Sequence, residues 1–266
     1  MEYLKFIVYG LIQGSTEFIP ISSTAHLKII SSLLGFEDPG SSLSAIIQFG
    51  SVFALFWYFR KDLFNLGNIR AKKNHKYLFY QRLFISILIG TLPFLFVGGA
   101  IKIFIPNFFE YNLRSNFLIG IISLLMSIFM FLAEISKCRF TNIKNHKYWD
   151  SLLIGLAQTF AIIPGVSRSG ITISTALMAG WERKDAAKYS FLLGIPAISL
   201  AAIVEFFFSL DKFIQFSFFP LLVGLISTFI SSLLAIDFLI KFLSYNGMKI
   251  FIYYRLFFGI FILLYW

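Results

Sequence analysis

The chain has 266 residues, of which 58% are hydrophobic, 19% aromatic and only 14% charged, against about 25% charged in an ordinary soluble domain. That balance excludes a soluble globular protein and indicates an integral membrane protein. The formal net charge is +10, but the cations lie in short segments between apolar runs, which is how membrane topology is encoded. With no basic face carrying interleaved stacking aromatics outside those runs, nucleic acid is excluded as a partner. The single cysteine, Cys138, can form no intrachain disulfide and is read as inert. The first residues, MEYLKFIVYGLIQG, lack a signal peptide's basic flank and cleavage site, so they are expected to stay in the mature protein.

A helix needs about 20 apolar residues to cross a hydrocarbon core about 30 Å thick. Tyr3 to Ser15 is too short, and Pro20 removes a backbone donor and disfavours helix at the residue before it. The apolar continuation, Ala25 to Leu34, is also short and runs into the turn residues Gly35, Asp38, Pro39 and Gly40. Two short arms about a polar break predict a re-entrant hairpin, which membrane depth tolerates only where protein or water satisfies the backbone. Ser41 to Phe59 is predicted as the first full crossing, interrupted inside only by Gln48 and Gly50. The next loop carries Arg60, Lys61, Arg70, Lys72, Lys73 and Lys76 against Asp62 alone, which assigns it to the cytoplasm. Gln81 to Ile101 crosses back, with Pro93 and Gly98-Gly99 as kink or close-packing positions. After an outer loop, Lys102 to Asn112, Leu113 to Ala133 returns to a segment, Ser136 to Tyr148, holding Lys137, Arg139, Lys144 and Lys147 and no acid.

From Trp149 the pattern recurs. Two short arms, Trp149 to Ile163 and Ile171 to Gly180, flank PGVSRSG and predict a second hairpin. Three crossings follow, Ala187 to Phe208, Phe218 to Phe242 and Lys249 to Trp266, with Asp211 and Lys212 in an outer loop and an inner turn at Tyr245-Asn246-Gly247. A slide of 145 positions matches Gly10 to Gly155, Leu11 to Leu156, Gln13 to Gln158 and Ser22 to Ser167, so the chain reads as duplicated. The expected fold is an all-α polytopic membrane protein, one membrane domain over 1–266, whose halves (1–135 and 149–266) each contain one re-entrant hairpin and three crossings. An odd number of crossings inverts the second half, so the hairpin tips meet near the midplane. Met1 and Trp266 are then expected outside, Lys72 and Lys144 inside.

The polar groups of the two breaks need a reason to be there. The first break, QGSTEFIPISSTAHL, holds Gln13, Glu17, Ser22, Ser23, Thr24 and His26; the second holds Ser167, Arg168, Ser169, Gly170 and Thr172. A lipid-buried Glu17 requires a cation, a metal or water, and Arg168 is the available cation. A glycine-rich turn, a helix N-terminus and a guanidinium fork together suit a phosphate group. The plainer reading is a Glu17–Arg168 pair that only joins two hairpins. His26 stands close enough in sequence to activate a hydroxyl or protonate a leaving oxygen, or is a satisfied core histidine. Ser23 is either a nucleophile or a helix cap. Gln13 shares a helical face with Glu17 and can offer a carbonyl to a metal or bond to backbone. Arg82 and Arg255 are expected to snorkel or to pair with Glu134, Glu205 or Asp237.

The stretches QGSTEFIPISSTAHL and PGVSRSGIT, with DSLLIGLAQ before and YSFLLGIPA after the second, resemble the bacitracin-resistance family of undecaprenyl-pyrophosphate phosphatases along the whole chain. The resemblance implies a bacterial inner-membrane hydrolase that removes the terminal phosphate of a C55 polyprenyl diphosphate, recycling the carrier of cell-wall precursors with the help of a divalent cation, Mg²⁺ or Ca²⁺. Carried over by position, the family's acidic pair falls on Gln13 and Glu17, its histidine on His26, and its serine and arginine on Ser167 and Arg168. Gln13 stands where many members have glutamate, and Ala25 where glycine is usual.

The expected mechanism places the polyprenyl tail among lipids and the diphosphate between the tips. Ser22, Thr24, Ser167, Arg168, Ser169, Gly170 and Thr172 bind it; Glu17 with Gln13 holds the metal; Glu17, His26, Ser23 and Arg168 carry the chemistry. Attack by Ser23 and attack by a water activated by His26 both remain open at this stage, as does a homodimer. The competing class is a lipid-phosphate flippase or secondary transporter built on the same inverted repeat.

Overall fold

The computed structural model describes residues 2–36, 38, 40–67, 75–104, 114–136, 141–208 and 216–265. Met1, Pro39, Arg70, Lys72, Lys73, Lys137, Cys138, Arg139, Asp211, Lys212 and Trp266, with the expectations that rest on them, lie outside these residues. Eleven α-helices are described: α1 (Glu2–Phe18), α2 (Ser23–Leu33), α3 (Gly40–Tyr58), α4 (Arg60–Gly67), α5 (His75–Phe104), α6 (Asn116–Ile135), α7 (Tyr148–Gln158), α8 (Arg168–Met178), α9 (Arg183–Phe208), α10 (Phe218–Tyr245) and α11 (Lys249–Tyr265). A 3₁₀ turn, Thr159–Ile162, extends α7. No strand occurs among the described residues, where Thr141 and Trp181 form an isolated bridge.

Both predicted breaks are present. α1 runs past the predicted end of its arm at Ser15, through Glu17 to Phe18, because Pro20 restricts only the residue before it, Ile19. A tight turn then closes with Ile21 N donating to Ile19 O at 2.7 Å. In the second break Val166 N donates to Ile163 O at 3.1 Å across Pro164 and Gly165. Gly165 has φ +95°, the position that a proline-led type II turn reserves for glycine.

Four helices are long and apolar enough to cross a membrane: Tyr77–Phe104, Asn116–Ile135, Arg183–Phe208 and Phe218–Tyr245. Leu43–Tyr58 and Arg60–Gly67, bent by 70° at Phe59, make a fifth if they are one broken span. The sequence predicts six. The remaining one, α11, has 17 described residues, about 26 Å of helix, which is under the hydrocarbon thickness. The start of the predicted basic loop is helical, in α4, rather than irregular.

The bundle closes through small residues. α1 lies on α10, where a Cβ on Gly10 would fall on Ser227 Oγ and lie 2.5 Å from Gly224 O. α7 lies on α5 in the same way, since a Cβ on Gly155 would fall on the backbone of Gly90. Gly10 and Gly155 are the positions matched by the 145-residue slide, and each lies at a close helix crossing. The rims are tied by polar contacts. At one, Ser217 Oγ donates to Glu2 at 3.3 Å and Arg114 pairs with Asp38 at 2.8 Å. At the other, Arg183 pairs with Glu134 at 2.9 Å and Lys188 with Asp62 at 2.9 Å. There His146 is fully buried, its Nε2 2.6 Å from Ser86 Oγ and its carbonyl accepting from Arg82.

Candidate active site

The two turns bring together the termini of α1, α2 and α8. Glu17 is 7% exposed and its Oε2 accepts from Gln13 Nε2 at 2.9 Å and from Ser23 Oγ at 2.8 Å. Ser23 is the first residue of α2, and its hydroxyl proton goes to a carboxylate rather than its oxygen to a backbone amide, so it is not a helix cap. The residue at the cap position is Ser22, which makes no side-chain cap bond. Ser22 has φ +77°, the one non-glycine positive φ among the described residues. Such backbone costs about 1–3 kcal/mol and persists where its surroundings hold it.

Arg168 opens α8 opposite this pair. Its Nη1 donates to Ser190 O at 3.1 Å and its guanidinium lies 5.9 Å from the centre of the Phe18 ring. Nη2 stands 3.6 Å from Glu17 Oε1, longer than a hydrogen bond. Nε and Nη2 are buried with no hydrogen-bond partner among the described residues, so the cation keeps two donors unspent. Gly194 of α9 makes room for it: a Cβ there would overlap Nη1 and lie 2.8 Å from Cζ. Ser167 caps α8, its Oγ accepting from Gly170 N at 3.2 Å.

Two adjoining cavities meet at these groups. The inner one, about 140 Å³, is lined by Glu17, Ser22, Ser23, Thr24, Ser167 and Arg168 among others. The outer one, about 360 Å³, begins at Gln13, Ser23 and Thr24 and reaches Lys102, Arg114 and Glu205 at the rim. Gln48 borders both.

Most of the residues expected from sequence therefore converge, with three corrections. Ser169, Gly170 and Thr172 do not line either cavity. Ser169 and Gly170 form the seam between the tips, Ser169 Oγ reaching Glu17 O and Ile19 O at 3.4 Å and Gly170 packing near Pro20, while Thr172 Oγ1 ties α8 to α9 through Ser190 Oγ at 2.6 Å. His26 lines neither cavity. Its Nδ1 lies 2.7 Å from Ser22 O and its Nε2 2.6 Å from Tyr254 OH, with the ring stacked 4.3 Å from that of Phe258. Both nitrogens are occupied, which leaves no lone pair to meet Ser23. Among the described residues Arg255 and Arg82 pair with no carboxylate. Arg255 donates to Gly165 O at 2.7 Å and Arg82 to His146 O, while Glu205 and Asp237 take Lys102 and Lys241.

Gln48, Gly194 and Tyr254 were not singled out as site residues from sequence. A lone amide inside an apolar span and a glycine in YSFLLGIPA were the signals for the first two; nothing local marks Tyr254.

Among the described residues no group of three His, Cys, Asp or Glu side chains is placed to hold a metal. Glu17 supplies a carboxylate, while Gln13 meets it with its amide Nε2 and would have to turn that amide to offer an oxygen to a shared ion. A Mg²⁺ ion is usually held by one or two carboxylates together with substrate phosphates, so this pair fits a cation shared with a diphosphate and does not fit an all-protein cage.

A bundle all-helical in its described residues, with four or five apolar membrane-length helices hollowed around a serine–glutamate–arginine group, is a multi-pass membrane protein with an interior polar site. The chain belongs to the family described as bacitracin resistance protein BacA, which it matches over residues 6–261. It is 64% identical over 264 residues, 99% of each chain, to the undecaprenyl-diphosphatase of Prochlorococcus marinus strain MIT 9301. It is 63% identical over 264 residues, again 99% of each chain, to the undecaprenyl-diphosphatase of strain MIT 9515. The undecaprenyl-diphosphatase of strain MIT 9303 is 45% identical over 273 residues, 98% of this chain and 90% of that protein.

Proposed function

We propose that this chain is an undecaprenyl-diphosphatase that hydrolyses undecaprenyl diphosphate to undecaprenyl phosphate and phosphate, returning the lipid carrier to peptidoglycan synthesis and conferring bacitracin resistance. The observation that carries the reading is the buried Arg168 with two unspent donors, facing a serine already hydrogen-bonded to a carboxylate across a polar cavity.

The terminal phosphoryl group enters the inner cavity, where Arg168, Ser167 and the N-terminus of α8 receive its oxygens. Ser23 Oγ attacks phosphorus and passes its proton to Glu17 as the bond to the bridging oxygen breaks. The leaving group, a phosphate monoester, needs no proton to depart. The proton on Glu17 goes to solvent with the product; Glu17 then takes a proton from water, which attacks the phosphoserine, and returns it to Ser23 Oγ. A divalent cation, Mg²⁺ or Ca²⁺, held by Glu17 with Gln13 would offset charge on the diphosphate oxygens when bound. His26 takes no proton in this scheme.

The inverted repeat belongs to the same reading. α1 against α10 and α7 against α5 are matching helix pairs exchanged between the halves, and the first hairpin begins at the rim of Asp38 and Arg114, the second at the rim of His146 and Glu134. The outer cavity opens toward the first rim, which the cation distribution assigns to the periplasmic face of the bacterial inner membrane. All the site residues come from one chain, so the proposed chemistry does not require the homodimer, whose presence size-exclusion chromatography with light scattering would test.

The reading is tested by following inorganic phosphate released from undecaprenyl diphosphate by detergent-purified protein. Wild type should release it and Ser23→Ala should not. A wild type that releases none but moves lipid phosphates between the leaflets of vesicles is a flippase, and the reading is then wrong. Orientation has its own test: Lys144→Cys in a Cys138→Ser background should resist an impermeant maleimide in intact spheroplasts, and labelling would reverse the topology.

A further inference from the structure

Residues 254 and 255 of α11 each reach a different hairpin tip. Tyr254 OH meets His26 Nε2 at 2.6 Å, and His26 Nδ1 meets Ser22 O at 2.7 Å. A carbonyl only accepts, so Nδ1 carries the hydrogen; in the neutral ring Nε2 accepts from the tyrosine. The chain of bonds thus runs from the α11 phenol through the imidazole to the carbonyl of Ser22, the residue with φ +77° that immediately precedes Ser23. Arg255, fully buried, donates through Nη2 to Gly165 O at 2.7 Å. Gly165 has φ +95° and lies three residues before Arg168.

Direct contacts between the two tips are long. Ser169 Oγ stands 3.4 Å from Glu17 O and Ile19 O, and Arg168 Nη2 3.6 Å from Glu17 Oε1. Consecutive helical residues diverge by about 100°, which lets one turn of α11 hold both tips at once. That turn is itself seated on α6, where Ser123 Oγ donates to Arg255 O at 3.1 Å. Burying a guanidinium with no carboxylate beside it is costly, yet among the described residues Arg255 serves one peptide oxygen, that of the turn before the phosphate-facing arginine.

We propose that Tyr254, His26 and Arg255 are positioning residues: a clamp in which Tyr254 and Arg255 of α11, the former through His26 of α2, fix the strained turns of both hairpins and thereby the placement of Ser23 opposite Arg168. The proposal deepens the phosphatase reading and rests on it for its kinetic arm. It gives the site's histidine a role without proton transfer.

Two measurements decide. In the first, phosphate release is followed across pH for Tyr254→Phe, His26→Asn, His26→Gln and Arg255→Lys. Tyr254→Phe keeps the stacked ring and loses only the hydroxyl, so kcat should fall about tenfold with KM and the pH profile unchanged. Asparagine can replace Nδ1 as donor to Ser22 O whereas glutamine cannot, so His26→Asn should retain activity that His26→Gln loses, by a margin of about a hundredfold. Arg255→Lys should lower kcat in the same manner as Tyr254→Phe. The second measurement needs no turnover: amide hydrogen exchange at Ser23–Leu27 should quicken in Tyr254→Phe, and at Val166–Gly170 in Arg255→Lys, with the rest of the bundle unchanged. Equal inactivity of Asn and Gln at 26 with loss of one limb of the pH profile would make His26 a proton carrier and overturn the clamp. Wild-type exchange at both tips in Tyr254→Phe and Arg255→Lys would overturn it too. A wild type without phosphatase activity would sink the function reading alone, since the exchange arm would still be read.

Discussion

Ser23 Oγ lies 2.8 Å from Glu17 Oε2, although Pro20 separates the two residues and puts them on different helices. The turn folds α2 back so that its first hydroxyl meets the last buried carboxylate of α1. A serine hydrogen-bonded to a carboxylate at this distance has the geometry that the proposed nucleophile and base require. Ser23→Ala should abolish phosphate release, and Glu17→Gln should lower kcat by about a thousandfold or more. Steady-state phosphate assays on variants of unchanged melting temperature check both.

Arg168 distinguishes a working cation from a hairpin fastener. It pairs with Glu17 at 3.6 Å, and Nε and Nη2 make no hydrogen bond among the described residues, so the pair does not use up the cation. Arg168→Ala should therefore remain monodisperse by size-exclusion chromatography while losing phosphate release. An unfolded Arg168→Ala that Glu17→Ala restores would make the pair structural.

Gly194 sets where Arg168 can lie. A methyl group there would overlap Nη1, and the guanidinium would have to shift toward the inner cavity. Gly194→Ala should raise KM and lower kcat, together costing about a hundredfold in kcat/KM, with the helix itself slightly favoured by alanine. Kinetics alongside a thermal melt separates the two effects.

The carboxylate beside a diphosphate is repelled unless a cation intervenes, and low dielectric strengthens the repulsion. Chelation should abolish wild-type turnover and added Mg²⁺ or Ca²⁺ restore it. Gln13→Glu should lower the metal concentration for half-maximal rate, because it adds a second hard oxygen donor next to Glu17. Isothermal titration with metal provides a readout apart from activity. Full turnover in excess chelator would leave Glu17 with proton transfer alone.

His146 ties the 141–147 segment to α5 as a neutral ring. Burial, the larger cause, pushes its pKa below the ordinary 6.5, with Arg82 acting the same way and the Ile143 carbonyl and Asp150 opposing. A base whose folded pKa is depressed stabilises the fold above its unfolded pKa, and that contribution is lost as pH falls through 6.5 toward the folded value. The melting temperature should drop between about pH 7.5 and pH 5, and His146→Gln should flatten that dependence; differential scanning fluorimetry in detergent measures it.

Much of this protein is legible along the chain. Apolar runs, prolines and cation placement announce the membrane helices and both breaks, because each depends on local backbone chemistry and on the cost of polar groups in lipid. The convergence of Glu17 with Arg168 is also expected from the 145-residue match between the two breaks. What a linear reading misplaces is direction. His26 lies three residues from Ser23, yet its ring turns to Tyr254, 228 residues away, since a buried imidazole goes to whatever partners the neighbouring helix supplies. Ser169 and Thr172 have the composition of a phosphate nest but point into the seam between helices. Arg255 reads as a snorkelling cation and is instead sealed beneath a turn. Residue type and spacing determined which groups gather at the two breaks; only packing of α6, α9 and α11 around the tips decided which of them face the cavity, because side-chain direction depends on neighbours far away in sequence.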